Sequence, residues 1–223
     1  MASCNGYLFK TRDNTYVAVD APSGFADWIY SKKPDIIITD LLITHQHFDH
    51  VEDACRMRQI FDCRIHAGQP YNESLTLEKM ARDAWGLPLN VQPFVVDEIL
   101  TPDIHTANWG GLLWHLHQVP GHSPDSIVYD LPDEGIMFTG DVIFAGSIGR
   151  TDLPGGNLRL LTGHRKSAQP AHDHDFPRTR ALYHRKERTA DQSVHLLTAV
   201  PAPLCGIVFY SLASIQDQCY FQN

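Results

Sequence analysis

Apolar and polar residues alternate along residues 5–20 (NGYLFKTRDNTYVAVD), and the alternation breaks at Arg12-Asp13-Asn14. Period-two alternation around a turn-rich cluster predicts two short strands joined as a hairpin. Pro34 then introduces a run, 35–43, whose β-branched content and length favour a buried strand. That strand leads straight into Thr44-His45-Gln46-His47-Phe48-Asp49-His50, so a polar cluster stands at a strand end. In α/β proteins, strand ends that face a crevice are where ligands and chemistry are placed.

The stretch from Asp49 reads as a helix start, with Asp49, Glu52 and Asp53 in the first turn and an apolar stripe of Ala54, Met57, Ile60 and Phe61 behind them. A strand at 64–67 and a helix at 73–85, stopped by Gly86 and Pro88, continue a β-α-β-α rhythm. Further strands are predicted at 91–99, 112–119, 126–131 and 135–139. Strands before and after a helical middle indicate a layered α/β fold with helices outside two sheets.

Composition narrows the function classes. A net charge of −8 disfavours sequence-blind binding to nucleic acid or to an anionic membrane, both of which need a basic surface. Lys10, Arg12 and Asp13 interrupt the apolar residues near the N-terminus, and no stretch approaches the roughly 20 apolar residues of a membrane-spanning helix. The expectation is a soluble, cytoplasmic protein whose partner is a small molecule, with oligomeric state left open. The five cysteines are odd in number, scattered and without a C-x-x-C pair, which argues for free thiols over a disulfide framework or a thiolate zinc site. Charge is uneven: residues 161–223 carry seven Lys/Arg against five Asp/Glu, leaving 11 against 21 in the first 160, a net of −10.

The chemistry lies in H-x-H-x-D-H at 45–50. Side chains alternate at a strand end, so His45 and His47 point the same way, while the turning chain carries Asp49 and His50 to a neighbouring position. Such an arrangement can serve two metal ions, and imidazole with carboxylate suits zinc, iron or manganese. Gly121-His122-Ser123 follows one predicted strand, and Thr139-Gly140-Asp141 ends another. Alone, each is weak, since a turn histidine is usually just solvated. Three strand ends that each deliver a metal-ligand residue are a joint observation.

The runs THQHFDH, GHSPDS and FTGDVIFAGSIGRTDLPGG, in that order across Gly6 to Gly156, resemble the metallo-β-lactamase superfamily, and the last run resembles its glyoxalase II-like (hydroxyacylglutathione hydrolase-like) branch. The resemblance implies an αββα sandwich. It also implies His45, His47 and His122 on a first metal, Asp49 and His50 on a second, Asp141 bridging both, and Asp20 supporting the ligand loop. Two divalent cations are expected, zinc first, with iron or manganese as alternatives. The implied reaction is hydrolysis of a thioester, a glutathione thioester among the candidates: water activated between the cations attacks the carbonyl carbon, and Asp49 orients it. The G-R-T-D stretch at Gly149 to Asp152 also resembles iron-dependent persulfide dioxygenases, with His45, His122 and Asp141 around one metal. A third reading is a catalytically impaired metal-binding product.

That third reading arises because the resemblance implies a last ligand, a histidine in a late P-G-H-G-P motif, and no such string follows Asp141. Gly163-His164-Arg165 is nearest but comes too early, and His172, His174, His184 and His195 sit in no recognisable motif. When the codons from Phe176 are read one base late, Pro177 to Lys186 permit P-G-H-G-P-x-T-I-G-K. The division expected is therefore a catalytic domain at 1–160 and, at 161–223, an atypical, poorly ordered tail that is an out-of-frame translation. Residues 161–190 show no sustained period, whereas 200–220 are apolar enough to adhere to something.

Overall fold

The computed structural model describes residues 4–144 and 147–161, together with the backbone of strand segments at 180–182, 199–202 and 205–211. Asn5–Lys10 (β1) and Tyr16–Val19 (β2) form the predicted antiparallel hairpin, with Tyr7 opposite Val19 and Lys10 opposite Tyr16. A helix at Phe25–Lys32 (α1), to which the sequence pattern assigns no element, follows and buries Phe25, Ala26 and Ile29. Next comes Ile38–Leu42 (β3), parallel to β2 and three residues shorter at its start than the predicted run.

Tertiary contacts split both predicted helices. The one expected from Asp49 is two pieces, Phe48–Val51 (α2) and Ala54–Phe61 (α3). Between them the Asp53 N–H donates to Ala21 O and its carboxylate accepts from the Ala26 N–H, so Asp53 is committed to the entry of α1. Arg64–Ala67 (β4) falls where predicted. The helix expected at 73–85 is Glu73–Thr76 (α4) and Glu78–Trp85 (α5), broken at Leu77, whose φ of 55° is left-handed. The strand expected at 91–99 shrinks to Glu98–Ile99 (β5). Pro93 has no N–H for a ladder, and the Val91 N–H is taken by the Glu78 carboxylate.

Thr106–Trp109 (β6), Leu112–Gln118 (β7), Ile127–Leu131 (β8) and Ile136–Phe138 (β9) form an antiparallel meander. Gly110 and Gly111, both at positive φ, make the two-residue turn between β6 and β7, as such hairpins require. Ile143–Phe144 (β10) and Ser147–Ile148 (β11) form a small separate hairpin. In the tail, Arg180–Leu182 (β12), Ala199–Ala202 (β13) and Cys205–Ser211 (β14) are strands. The other residues expected to be poorly ordered lie outside the described residues.

The strands form two main sheets, in the orders β13-β14-β1-β2-β3-β4-β5 and β12-β9-β8-β7-β6. Alternation along each strand sorts the side chains into layers. Leu8, Ala18, Leu41 and Ile43 face Phe25, Ile29, Met57 and Ala81 of the helices. Phe9, Val17, Val19 and Leu42 instead meet Trp114, Leu116, Tyr129 and Phe138 of the second sheet. On that sheet's outer face Val128 and Met137 pack with Leu161 of a final helical turn at 158–161. This is the αββα order expected. No helix among the described residues is long and apolar enough to cross a membrane.

Trp114 is fully buried between the sheets and stacks on Phe138 with ring centroids 5.9 Å apart. Trp114→Ala should therefore lower stability by about 3–5 kcal/mol in urea unfolding followed by fluorescence and circular dichroism.

Candidate metal centre

The centre begins with one buried carboxylate. Asp20 ends β2 with φ 57°, a left-handed conformation that aspartate tolerates better than most residues. Its N–H donates to Leu42 O at 2.9 Å, which aims the side chain at the loop leaving β3. There Asp20 Oδ1 accepts from the Thr44 N–H at 2.8 Å, and Oδ2 accepts from Thr44 Oγ1 at 2.8 Å and from His50 Nδ1 at 2.8 Å. With its proton on Nδ1, the His50 ring is fixed and Nε2 is turned away from Asp20. Thr44 Oγ1 also lies 3.2 Å from His45 Nδ1, again leaving Nε2 as the outward nitrogen. A Cβ at Gly140, φ 48°, would stand 2.6 Å from Thr44 Oγ1, so the strand-end glycine before Asp141 is what lets the two loops approach.

His122 enters from the turn after β7. Its Nδ1–H donates to Arg150 O at 2.7 Å, and its Nε2 lies 2.9 Å from His47 Nδ1. Asp141, after β9, places Oδ2 at 3.5 Å from His122 Nε2 and Oδ1 at 3.4 Å from His50 Nε2. Two groups of ligand atoms result, each within 4.8 Å: His45, His47 and His122 in one, and His45, His50 and Asp141 in the other. All four histidines are buried.

Burial pushes the pKa of His47 down to about 3 and also lowers those of His45 and His122, so the three imidazoles are neutral and present lone pairs at ordinary pH. Burial acts the same way on His50, but the carboxylates of Asp20 and Asp141 outweigh it and raise His50 well above the usual range. Asp141, despite burial, is held at about 2 by the hydrogen bond and charge of His50. Among the described residues buried His45 Nε2 has no hydrogen-bond partner, and His50 Nε2 meets only the Asp141 carboxylate, at 3.4 Å. Buried polar atoms normally find partners, so an orphaned nitrogen, two more that face each other at 2.9 Å and a carboxylate set against a fourth make sense as a cation cradle. The donor set, nitrogen with one carboxylate, suits zinc, iron or manganese.

Of the six residues singled out by sequence, the structure brings His45, His47, His50, His122 and Asp141 together. Asp49 belongs to neither group; it sits half-buried on the first turn of α2, where desolvation raises its carboxyl pKa, and its backbone carbonyl accepts from Cys4 Sγ. The sequence holds no motif for the implied last ligand, and His164, His172, His174, His184 and His195 of the tail lie outside the described residues. Cys55 and Cys63 are free thiols, and burial pushes Cys63 up to about 12.

Sequence reasoning missed the residues that sew the two ligand loops together. Tyr129 OH donates to Ile43 O, the Ile127 N–H donates to Thr44 O, and the Gln46 N–H donates to Asp125 Oδ2. Gln46 and Asp125 stood inside the quoted motifs, but nothing in their spacing says that they face each other.

A family model described as the Metallo-beta-lactamase superfamily matches residues 5–172. The chain is 31% identical over 153 residues to hydroxyacylglutathione hydrolase GloC of Haemophilus influenzae, covering 67% of this chain and 71% of that protein. Among solved structures it is similar to the BLEG-1 B3 metallo-beta-lactamase, at 28% identity and TM-score 0.63, over 73% of this chain and 78% of that one. It is also similar to TTHA1623 in a di-iron-bound form, at 27% identity and TM-score 0.60, over 73% and 79%. With its fold, its clustered ligand atoms and the family match in agreement, the chain belongs to the metallo-beta-lactamase superfamily.

Proposed function

We propose that this chain hydrolyses small-molecule thioesters in the manner of glyoxalase II, using two divalent cations held by His45, His47, His50, His122 and Asp141, with Asp49 beside them. Superfamily membership and the names of relatives indicate a metal-dependent hydrolase. The observation that carries the proposal is the convergence of ligand nitrogens from separate strand ends, with His45 Nε2 buried and without a partner among the described residues. The relative named as a hydroxyacylglutathione hydrolase supports a glutathione thioester as substrate. A di-iron neighbour keeps iron beside zinc as the metal.

Bound cations would supply Lewis acidity and lower the pKa of water toward about 7, making a nucleophile available at neutral pH. The chain's own residues do the positioning. His45, His47 and His122 offer neutral nitrogens, and His50 is oriented by Asp20. Asp141 reaches toward both ligand groups. Asp49 orients the attacking water. We assign catalysis to residues 1–160 and read 161–223 as an out-of-frame translation.

Metal-loaded protein should release free thiol from a 2-hydroxyacyl thioester of glutathione, lose this activity on chelation and regain it when zinc or iron is restored. Oxygen uptake with glutathione persulfide and no thiol release would overturn the proposal in favour of a dioxygenase. One tightly held metal per chain with no hydrolysis would identify a binding product without catalysis. Asp20→Ala removes the acceptor of three hydrogen bonds to Thr44 and His50 and should weaken metal binding by roughly 10–100-fold in competition with a chromogenic chelator. Sequencing the coding DNA tests the tail: the frame shifted by one base should spell Gly-His-Gly across Arg178 to Arg180, and any other reading there rejects the frameshift.

A further inference from the structure

Asp125 is buried, and both oxygens of its carboxylate are engaged. Oδ2 accepts from the backbone N–H of Gln46 at 3.0 Å, and Oδ1 accepts from the hydroxyl of Ser123. Gln46 lies between His45 and His47, and Ser123 follows His122. A single side chain thus joins the loop that carries two of the clustered histidines to the turn that carries the third.

Both ends of this link are anchored. The Gln46 side chain is fully buried; its Nε2 donates to Gln69 O and Pro70 O, both at 3.1 Å, and its Oε1 accepts from the Asn72 N–H at 3.0 Å. The loop end therefore cannot turn freely. At the other end, the Ser126 hydroxyl accepts from the Ser123 N–H at 3.2 Å, and the Asp125 carbonyl lies where a Cβ at Gly68 would come within 2.7 Å. His47 Nδ1 and His122 Nε2 face each other at 2.9 Å across this braced gap.

We propose that Asp125 is a positioning residue for the metal centre, setting the separation between the His45–His47 loop and the His122 turn and so the geometry of the three-histidine group. The inference rests on the metal-binding reading of that group. Asp125 itself touches no ligand atom in the hydrogen bonds described; it acts through Gln46 and Ser123.

The chemistry of the link sets the variants. Asp125→Asn is isosteric: its carbonyl can still accept from the Gln46 N–H while its amide donates to Ser123 Oγ, so the bridge survives without the charge. Asp125→Ala removes both bonds and leaves the Gln46 N–H buried without a partner. Asp125→Ser keeps a polar group in the turn but is too short to span to Gln46.

The test is titration of the full-length, metal-stripped chain with Zn(II) against a chromogenic chelator, together with the visible absorption spectrum of the Co(II)-loaded protein, which reports ligand geometry. Asp125→Ala should weaken Zn(II) binding by roughly 10–100-fold and alter the Co(II) bands, while Asp125→Asn stays within about threefold of the parent chain with an unaltered spectrum. If the alanine variant does not fold, Asp125→Ser carries the same expectation. Thermal unfolding of the metal-stripped variants separates positioning from simple support, because a purely structural residue lowers the melting temperature without changing affinity or spectrum. Zn(II) affinity within twofold of the parent chain and unchanged Co(II) bands in the folded alanine or serine variant would overturn the proposal and leave the metal site standing. Absence of Zn(II) binding by the parent chain itself would overturn the metal-binding reading and this inference with it.

Discussion

Four buried imidazoles whose neighbouring ring centroids lie 4.0–4.8 Å apart are the constraint on which the rest of this structure depends. Polar rings can be buried only when their nitrogens are satisfied. In three of them one nitrogen is already spoken for, by Thr44 in His45, by Asp20 in His50 and by the Arg150 carbonyl in His122. The opposite nitrogens are turned inward. A cation there would complete what the protein's own hydrogen bonds leave open, and metal binding would then be coupled to the stability of the loops that supply the ligands.

The sheets explain why such a cluster can be held with so few residues. β2 and β3 run parallel, so Asp20 at the end of one stands beside Thr44 at the end of the other. β8 lies in the second sheet, yet its Ile127 and Tyr129 bond to the carbonyls of Thr44 and Ile43. The ligand loop is therefore fastened on both sides, to its own sheet by Asp20 and to the facing sheet by β8. Short connections that leave strand ends, rather than long loops, carry the centre.

Much of this was legible in the sequence. The H-x-H-x-D-H run stands at the end of an apolar strand, and period-two alternation marks β1, β2 and β4 with little ambiguity. What the sequence hid depends on partners distant along the chain. Leu77 has no local reason to adopt a left-handed φ, and Asp53 interrupts a helical pattern because Ala21 and Ala26 claim it from across the helix layer. The Gly110-Gly111 pair was a local signal for a tight hairpin and would have located β6. Asp125 carried no such signal, since its role exists only once Gln46 is placed opposite it.

Charge links the centre to what it can accept. The first 160 residues carry a net of −10, a potential that favours accumulation of divalent cations and opposes approach of anions. Within the centre the balance differs: three histidines are neutral, and one raised histidine, His50, stands between the carboxylates of Asp20 and Asp141. Two added dications would displace the extra proton of His50 and, set against the carboxylates of Asp20, Asp49 and Asp141, would leave this point slightly positive inside a negative domain. At physiological ionic strength the surface potential decays over about 8 Å, whereas buried charges are screened much less. A thioester bearing carboxylates would therefore gain little from long-range steering. On the proposed reading its attraction would arise at short range, where bound cations would supply part of it.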